Sequence, residues 1–335
     1  MIPYWMSTLI SSPGSNKRMF FLLCALCALF CPQLFAQNED AFARLQNNEK
    51  GITYSFSGGR LGDNILSYLH ARWLATKYGT LFIYVPFPYS DQLLLHECDA
   101  LRIDCVRSFF KKEWVLKNEK DVPNIHGAAL IIVPYFPESA IELKTHAMYN
   151  PFRFNVDWKQ PEFKQLIRKL ITPRFSITTL EMPKQPWITV AVHVRKGGNF
   201  DPDFTQFDLP LKVPPDSFYI AALRKMSELL SHRQIYAYIF TDDQDPQKIV
   251  QKYQEAVKDL VNIHFDCRKT SNGPWNNVLE DFFSIQKFDC LIRPDSNYTI
   301  IAEKLKDFHI VISPEDPRIE KGVVYIDTLH VEKYF

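Results

Sequence analysis

Four stretches of the chain carry residues whose types and spacing could do chemistry. The first is "HVRKGGNFDPD", residues 193–203. Arg195 offers a planar guanidinium suited to bidentate capture of a phosphate or carboxylate. His193 lies two residues earlier, so on an extended strand both side chains face the same way. Gly197 and Gly198 would let the loop fold tightly beneath a ligand, and Asp201-x-Asp203 could hold Mg²⁺ or Mn²⁺ against a diphosphate. Each feature has a plainer use too: a surface arginine, a satisfied core histidine, an acidic pair that arises by chance. The second stretch, "SGGRLGDN" (57–64), is a glycine-rich turn entering a helix, where backbone amides could approach a phosphate. It matches neither GxGxxG nor the Walker pattern, and a tight turn alone would account for its glycines.

The other two stretches are acidic and hydroxylic. "FTDDQD" puts Asp242 and Asp243 at the mouth of a strand, where a carboxylate could accept from a guanine's ring N–H and amine or from a sugar hydroxyl. One of the two could instead cap the following helix. "RPDSNYTIIAEKL" places Ser296, Asn297 and Thr299 on a loop entering a helix, where hydroxyls and amides could hold a phosphate. Ser296 could equally be a plain N-cap, and "NYT" is a glycosylation sequon.

The elements that must position these loops recur as strand, loop, amphipathic helix. "ITYSF", "LFIYVPF" and "AALIIVPYF" read as strands of a first half, with a helix over "ILSYLHARWLATKYG" that Gly79 is placed to end. A helix over "PEFKQLIRKLITPRF" and a linker "TTLEMPKQP" follow. The second half begins with the strand "WITVAVHVR". It continues through helix "DSFYIAALRKMSELLSH", strand "QIYAYIF", helix "PQKIVQKYQEAVKDL", strand "NIHFD" and helix "NVLEDFFSIQKFD". Strand, loop and helix in "CLIRPDSNYTIIAEKL" come next, then short strands "HIVIS" and "VVYI". Such alternation on both sides of a linker predicts two α/β domains with mainly parallel sheets, over residues 37–180 and 186–335. Ligands of parallel sheets bind outside the carboxyl ends of the strands, and all four loops sit at that edge.

The bulk numbers are those of a globular chain: 335 residues, 46% hydrophobic and 23% charged. Lys+Arg 39 against Asp+Glu 38 gives no electrostatic case for nucleic acid or an anionic membrane surface. The segment "NKRMFFLLCALCALFCPQLFAQNED" has a basic flank and an apolar run shorter than the roughly 18 residues of a spanning helix. It reads as a signal peptide over 1–36 or a short signal-anchor, with Leu34 at a position where a small residue is preferred. The expectation is an exported protein (secreted, periplasmic or in a secretory lumen), in contact with membrane only if that segment is uncleaved. Cys98, Cys105, Cys267 and Cys290 remain beyond it; Cys98 and Cys105 are the nearest pair for a disulfide, and none has the CxxC spacing of a zinc site.

Taken in order, the stretches resemble the motif set of the α1,2-, α1,6- and protein-O-fucosyltransferase superfamily. "GRLGDN" looks like GR(F/L)GNQ, "HVRKGG" like HxRxGD, "IFTDD" like (F/A)(S/T)DD and "DSNYTIIA" like SSFSWWA. The resemblance spans about residues 52 to 310 and implies a GT-B architecture of two Rossmann-like domains, a nucleotide-sugar donor held mainly by the second, and a glycan or protein acceptor. It implies an inverting, metal-independent transferase with no cofactor, using GDP-fucose or a related GDP-sugar. Carried across by position, Arg195 would grip the β-phosphate, and His193 with Asp242 or Asp243 would lie near the guanine. Ser296, Tyr298 and Thr299 would line the phosphates, with Gly59, Gly62 and Asn64 across the cleft. The sequence departs from the pattern at Asp63, where Asn is usual, at Gly198, where Asp is usual, and at Ile300 and Ile301, where tryptophans are paired. Asp63 or Asp203 would be the base that takes the acceptor proton. Two other readings stay open: a non-catalytic glycan-binding protein on the same fold, and a metal-dependent transferase using Asp201-x-Asp203.

Overall fold

In the computed structural model the described residues are 40–56, 58–99, 101–135, 156–184, 186–196, 210–231 and 233–333. Residues 1–36, Gly197, Gly198, Asp201 and Asp203 lie outside them, and so do the expectations attached to those positions.

The architecture is α/β with two mainly parallel sheets. The first sheet has four strands, β1 (Gly51–Tyr54), β2 (Leu81–Phe82), β3 (Lys112–Val115) and β4 (Ala129–Val133), in the order β2-β1-β4-β3 and all parallel. Between β1 and β2 runs α1 (Leu61–Tyr78), which ends where Gly79 turns left-handed at φ 60 and returns its N–H to the carbonyls of Ala75 and Thr76. That stop is the one the sequence predicts. β2 is shorter than the run "LFIYVPF", because Pro86 and Pro88 follow and proline has no N–H for a ladder; Tyr84 makes only an isolated bridge to Arg102. β3, "KEWV", carries no apolar alternation and is exposed throughout, so no pattern marked it.

The second sheet holds β5 (Ile188–Val194), β6 (Ile235–Thr241), β7 (Ile263–Cys267), β8 (Cys290–Ile292), β9 (Ile310–Glu320) and β10 (Val323–Lys333), in the order β10-β9-β8-β5-β6-β7. All neighbours are parallel except β9 and β10. Four helices connect the strands after β5: α3 (Asp216–Leu229), α4 (Pro246–Ala256), α5 (Val278–Ile285) and α6 (Asn297–Leu305); α2 (Pro161–Leu170) lies before β5. The last two strands are far longer than "HIVIS" and "VVYI". Lys321 and Gly322 both take positive φ, 49 and 75, as a two-residue hairpin turn requires. Beyond Ile312 no β8 residue pairs with β9, so Pro314 and Pro317 forfeit no ladder bond on that side.

The linker divides the sheets but not the core. One buried cluster joins Ile52, Leu66 and Trp73 of the first half to Phe163 and Ile167 of α2 and to Tyr238, Phe282 and Ile301 of the second. A second cluster covers the other face of the second sheet, with Val190, Val192 and Val194 against Phe218, Tyr219, Ile249 and Tyr253. The expected Cys98–Cys105 bridge is not formed: Cys98, Cys105, Cys267 and Cys290 are all free thiols, the first two half-buried and exposed in turn and the last two buried. None of the described helices is long and apolar enough to cross a membrane.

Candidate functional site

The strand order of the second sheet fixes where a ligand belongs. From β5 the chain winds outward through β6 and β7, then returns to β8 on β5's other side and winds outward again. The connections that leave β5 and β8 therefore diverge, and a crevice opens at their carboxyl ends. His193 and Arg195 lie at one lip and Arg293 and Ser296 at the other.

Strand parity decides which face these residues use. Val190, Val192 and Val194 point into the cluster under α3 and α4, whereas Ala191 belongs to the opposite cluster. His193 and Arg195 share the parity of Ala191, so both face α6 and the first half, as their two-residue spacing predicts. On β6 the same face carries Tyr236, Tyr238 and Phe240, and Asp242 continues it. The register pairs Val194 with Thr241, which brings Asp242 beside Lys196, whose backbone N–H donates to Asp242 Oδ1 at 2.8 Å.

His193 and Arg195 are each 8% exposed. The His193 Nδ1 lies 3.2 Å from Thr299 Oγ1, and Thr299 Oγ1 lies 3.3 Å from the Ser296 carbonyl. A ring N–H donating to Thr299, whose hydroxyl donates onward to Ser296, satisfies both contacts and leaves Nε2 as an acceptor. Burial pushes the His193 imidazole down to about 3; Asp242 pulls it up, and Arg195, Arg60 and Arg293 push it down further. At neutral pH the ring is uncharged. The Arg195 backbone N–H donates to the Tyr219 hydroxyl at 3.4 Å.

The acidic turn divides its labour. Asp242 faces Arg60, with Nη2 and Oδ2 3.7 Å apart, so this ion pair joins the two halves across the crevice. Asp243 accepts from the Asp245 N–H at 2.8 Å and closes a local turn. The helix cap expected of Asp242 or Asp243 is supplied by Asp245 instead, which accepts from the Lys248 N–H. Asn272 donates to the carbonyls of Thr241 and Asp243 and lays the 268–277 loop over the turn.

The α6 entrance departs further from expectation. Ser296 is buried at the N-cap position, but its hydroxyl does not bond the first-turn amides. The Tyr298 hydroxyl donates to the Val278 carbonyl at 2.6 Å, and its ring lies on His193 and Phe282. It is thus spent on holding α6 to α5. Asn297 donates to Asp63 Oδ1 and to the Tyr135 hydroxyl, and Tyr135 donates to the same Asp63 oxygen at 2.7 Å. The sequon asparagine is therefore tied into the fold, and Asp63 is a cross-half acceptor. Gly62 meets α6 directly: a Cβ there would run into the Tyr298 backbone nitrogen. Its role in the structure is close helix approach. A Cβ on Gly59 would run into the Asp63 carboxylate, while Asn64 is buried in the first turn of α1.

Several residues of the site were not singled out from sequence. Arg60 lies inside "GRLGDN", where nothing local marks its partner Asp242. Arg293 is buried beside the crevice and donates to Glu303 Oε2 at 2.6 Å, a pairing across α6 that no spacing rule exposes. Lys196, Asp216 and Tyr219 support the end of β5, and Tyr135 joins the halves.

The fold and site define an α/β protein of two mainly parallel sheets with a cation-lipped crevice at the switch point. No protein-family model matches the chain, and no curated protein matches it. Among solved structures the chain is similar to POFUT1 in complex with GDP-fucose, at 9% identity and TM-score 0.40, covering 78% of this chain and 94% of that one. A mutant of Arabidopsis thaliana FUT1 in complex with GDP matches at 13% identity and TM-score 0.44, covering 83% and 74%. The fucosyltransferase NodZ from Bradyrhizobium matches at 12% identity and TM-score 0.37, covering 85% and 99%.

Proposed function

We propose that the protein is an inverting glycosyltransferase that takes its sugar from a GDP-sugar, with fucose favoured, and passes it to a glycan or protein hydroxyl in an exported compartment. The observation that carries the reading is Arg195: a buried guanidinium at the lip of a switch-point crevice, beside a neutral His193 and a carboxylate turn. The resemblance of the motif set around it to fucosyltransferase motifs favours GDP among nucleotides.

In that reaction the acceptor oxygen attacks the anomeric carbon from the side opposite the diphosphate. The bond from that carbon to the β-phosphate oxygen breaks, its electron pair leaves with GDP, and the acceptor proton goes to a carboxylate. Arg195 stabilises the charge growing on the leaving diphosphate, and a fixed donor of this kind accounts for roughly 10²- to 10³-fold in rate. Asp203 is favoured as base, because Asp63 Oδ1 already accepts two hydrogen bonds.

The substituted motif positions Asp63, Gly198, Ile300 and Ile301 favour a second reading, a glycan-binding protein that keeps the crevice without turnover. Calorimetric titration with GDP, without added metal, tests the donor site that the transferase reading requires. Micromolar binding by the wild type, weakened at least about tenfold by Arg195→Ala, is the expected result; a folded wild type that ignores GDP overturns the transferase reading and leaves the glycan binder. Sugar transfer or donor hydrolysis by the GDP-binding protein separates the enzyme from the binder.

A further inference from the structure

Arg195 and Lys196 leave β5 together but on opposite faces. Arg195 continues the crevice face, while Lys196 has the parity of Val190, Val192 and Val194 and meets the start of α3. Its ammonium donates to Asp216 Oδ1 at 2.6 Å. Asp216 is the first residue of α3, where the helix's amino end favours a carboxylate. It also accepts from Lys252 Nζ at 2.6 Å and from the Tyr253 hydroxyl at 2.8 Å. The Tyr253 ring stacks on Tyr219 at 6.0 Å, and Tyr219 receives the Arg195 backbone N–H. One carboxylate thus reaches the end of β5 by two routes, through Lys196 directly and through the tyrosine pair. Burial raises the Asp216 carboxyl, but donation by Lys196, Lys252 and Tyr253 outweighs it and holds the group at about 2.

We propose that Asp216 is a positioning residue that fixes how Arg195 enters the crevice, by anchoring Lys196 from the opposite face of the sheet. Its consequence for the reaction rests on the reading of Arg195 given above; its structural effect does not. An arginine side chain has many rotamers, so its aim depends on a backbone origin that stays still. A displacement of roughly 1 Å at such a group can cost about 10²-fold in rate.

The test is hydrogen exchange of the Arg195 backbone and Nε–H protons by NMR on the free protein, followed by GDP titration. In Asp216→Asn the Arg195 protons are expected to exchange at least about tenfold faster while the tryptophan indole signals stay in place. GDP affinity should fall about tenfold in the Arg195 background and not fall further in Arg195→Ala. Lys196→Met should reproduce both effects, and Lys252→Met, which leaves the Lys196 link intact, should not; this pair decides the matter if Asp216→Asn does not fold. Unchanged Arg195 exchange in folded Lys196→Met overturns the inference even where GDP binds. Faster exchange in a protein whose wild type ignores GDP leaves the positioning role standing and removes the GDP reading alone.

Discussion

His193 shows how one residue's environment sets its chemistry. Its ring is walled in by Thr299 and Tyr298 and surrounded by more cations than anions, so the charged form is disfavoured. A histidine whose folded pKa lies below its unfolded 6.5 binds fewer protons folded than unfolded between those values. Folding stability is then full above pH 6.5 and falls as the pH drops toward 3, with a slope approaching about 1.4 kcal/mol per pH unit. Asp281 acts with the opposite sign between 3.8 and about 6, because burial raises its carboxyl against the pull of Arg268. The His193 share is therefore the difference between wild type and His193→Gln. Denaturant melts at pH 4.5 and 7 should show a smaller loss on acidification in the variant; equal losses would place a charged imidazole in the native state.

Between elements, the contact that matters most is α1 on α6. Alanine favours a helix over glycine by about 1 kcal/mol, so propensity alone makes Gly62→Ala stabilising. The contact reverses the sign, because the new Cβ would meet backbone atoms of Asn297 and Tyr298, which cannot swing aside. Gly62→Ala is expected to destabilise by about 1–3 kcal/mol. Since α6 carries Thr299, it should also disturb the His193 ring. Gly59→Ala is expected to cost a comparable amount, because the new Cβ would displace the Asp63 carboxylate that Tyr135 and Asn297 share. Thermal melts of the two variants compare them directly, and a neutral Gly62→Ala would mean that the helices part freely.

On the scale of the whole molecule, the halves are joined by the continuous apolar core, by Lys164 and Arg168 on Asp307, and over the crevice by the bridges Asp63–Tyr135–Asn297 and Arg60–Asp242. Asp63→Ala leaves Tyr135 and Asn297 without their shared acceptor and is expected to cost about 1–3 kcal/mol. Asp63→Asn keeps an acceptor oxygen and should cost less. The pair also separates two roles: an enzyme that keeps its turnover in Asp63→Asn uses Asp63 as a bridge, and one that folds normally but loses turnover uses it as the base.

Much of this was legible in the chain. Apolar runs located β1 and β4 to β8, most of them buried on both faces, and apolar spacing located the six helices named above. The two-residue spacing of His193 and Arg195 gave their common face, and Gly79 gave the end of α1. What the sequence could not reveal were pairings between residues distant along the chain. Asp63 meeting Asn297 and Gly62 meeting Tyr298 depend on how helices dock, which local patterns do not encode. The same holds for Tyr298, whose hydroxyl could have served a ligand until α5 brought the Val278 carbonyl against it. The sequence by itself determined the kinds of elements and the chemical groups at their carboxyl ends. Only the tertiary structure decided which of those groups face the crevice and which are consumed in holding its walls together, because a side chain's free valences depend on what has been packed beside it.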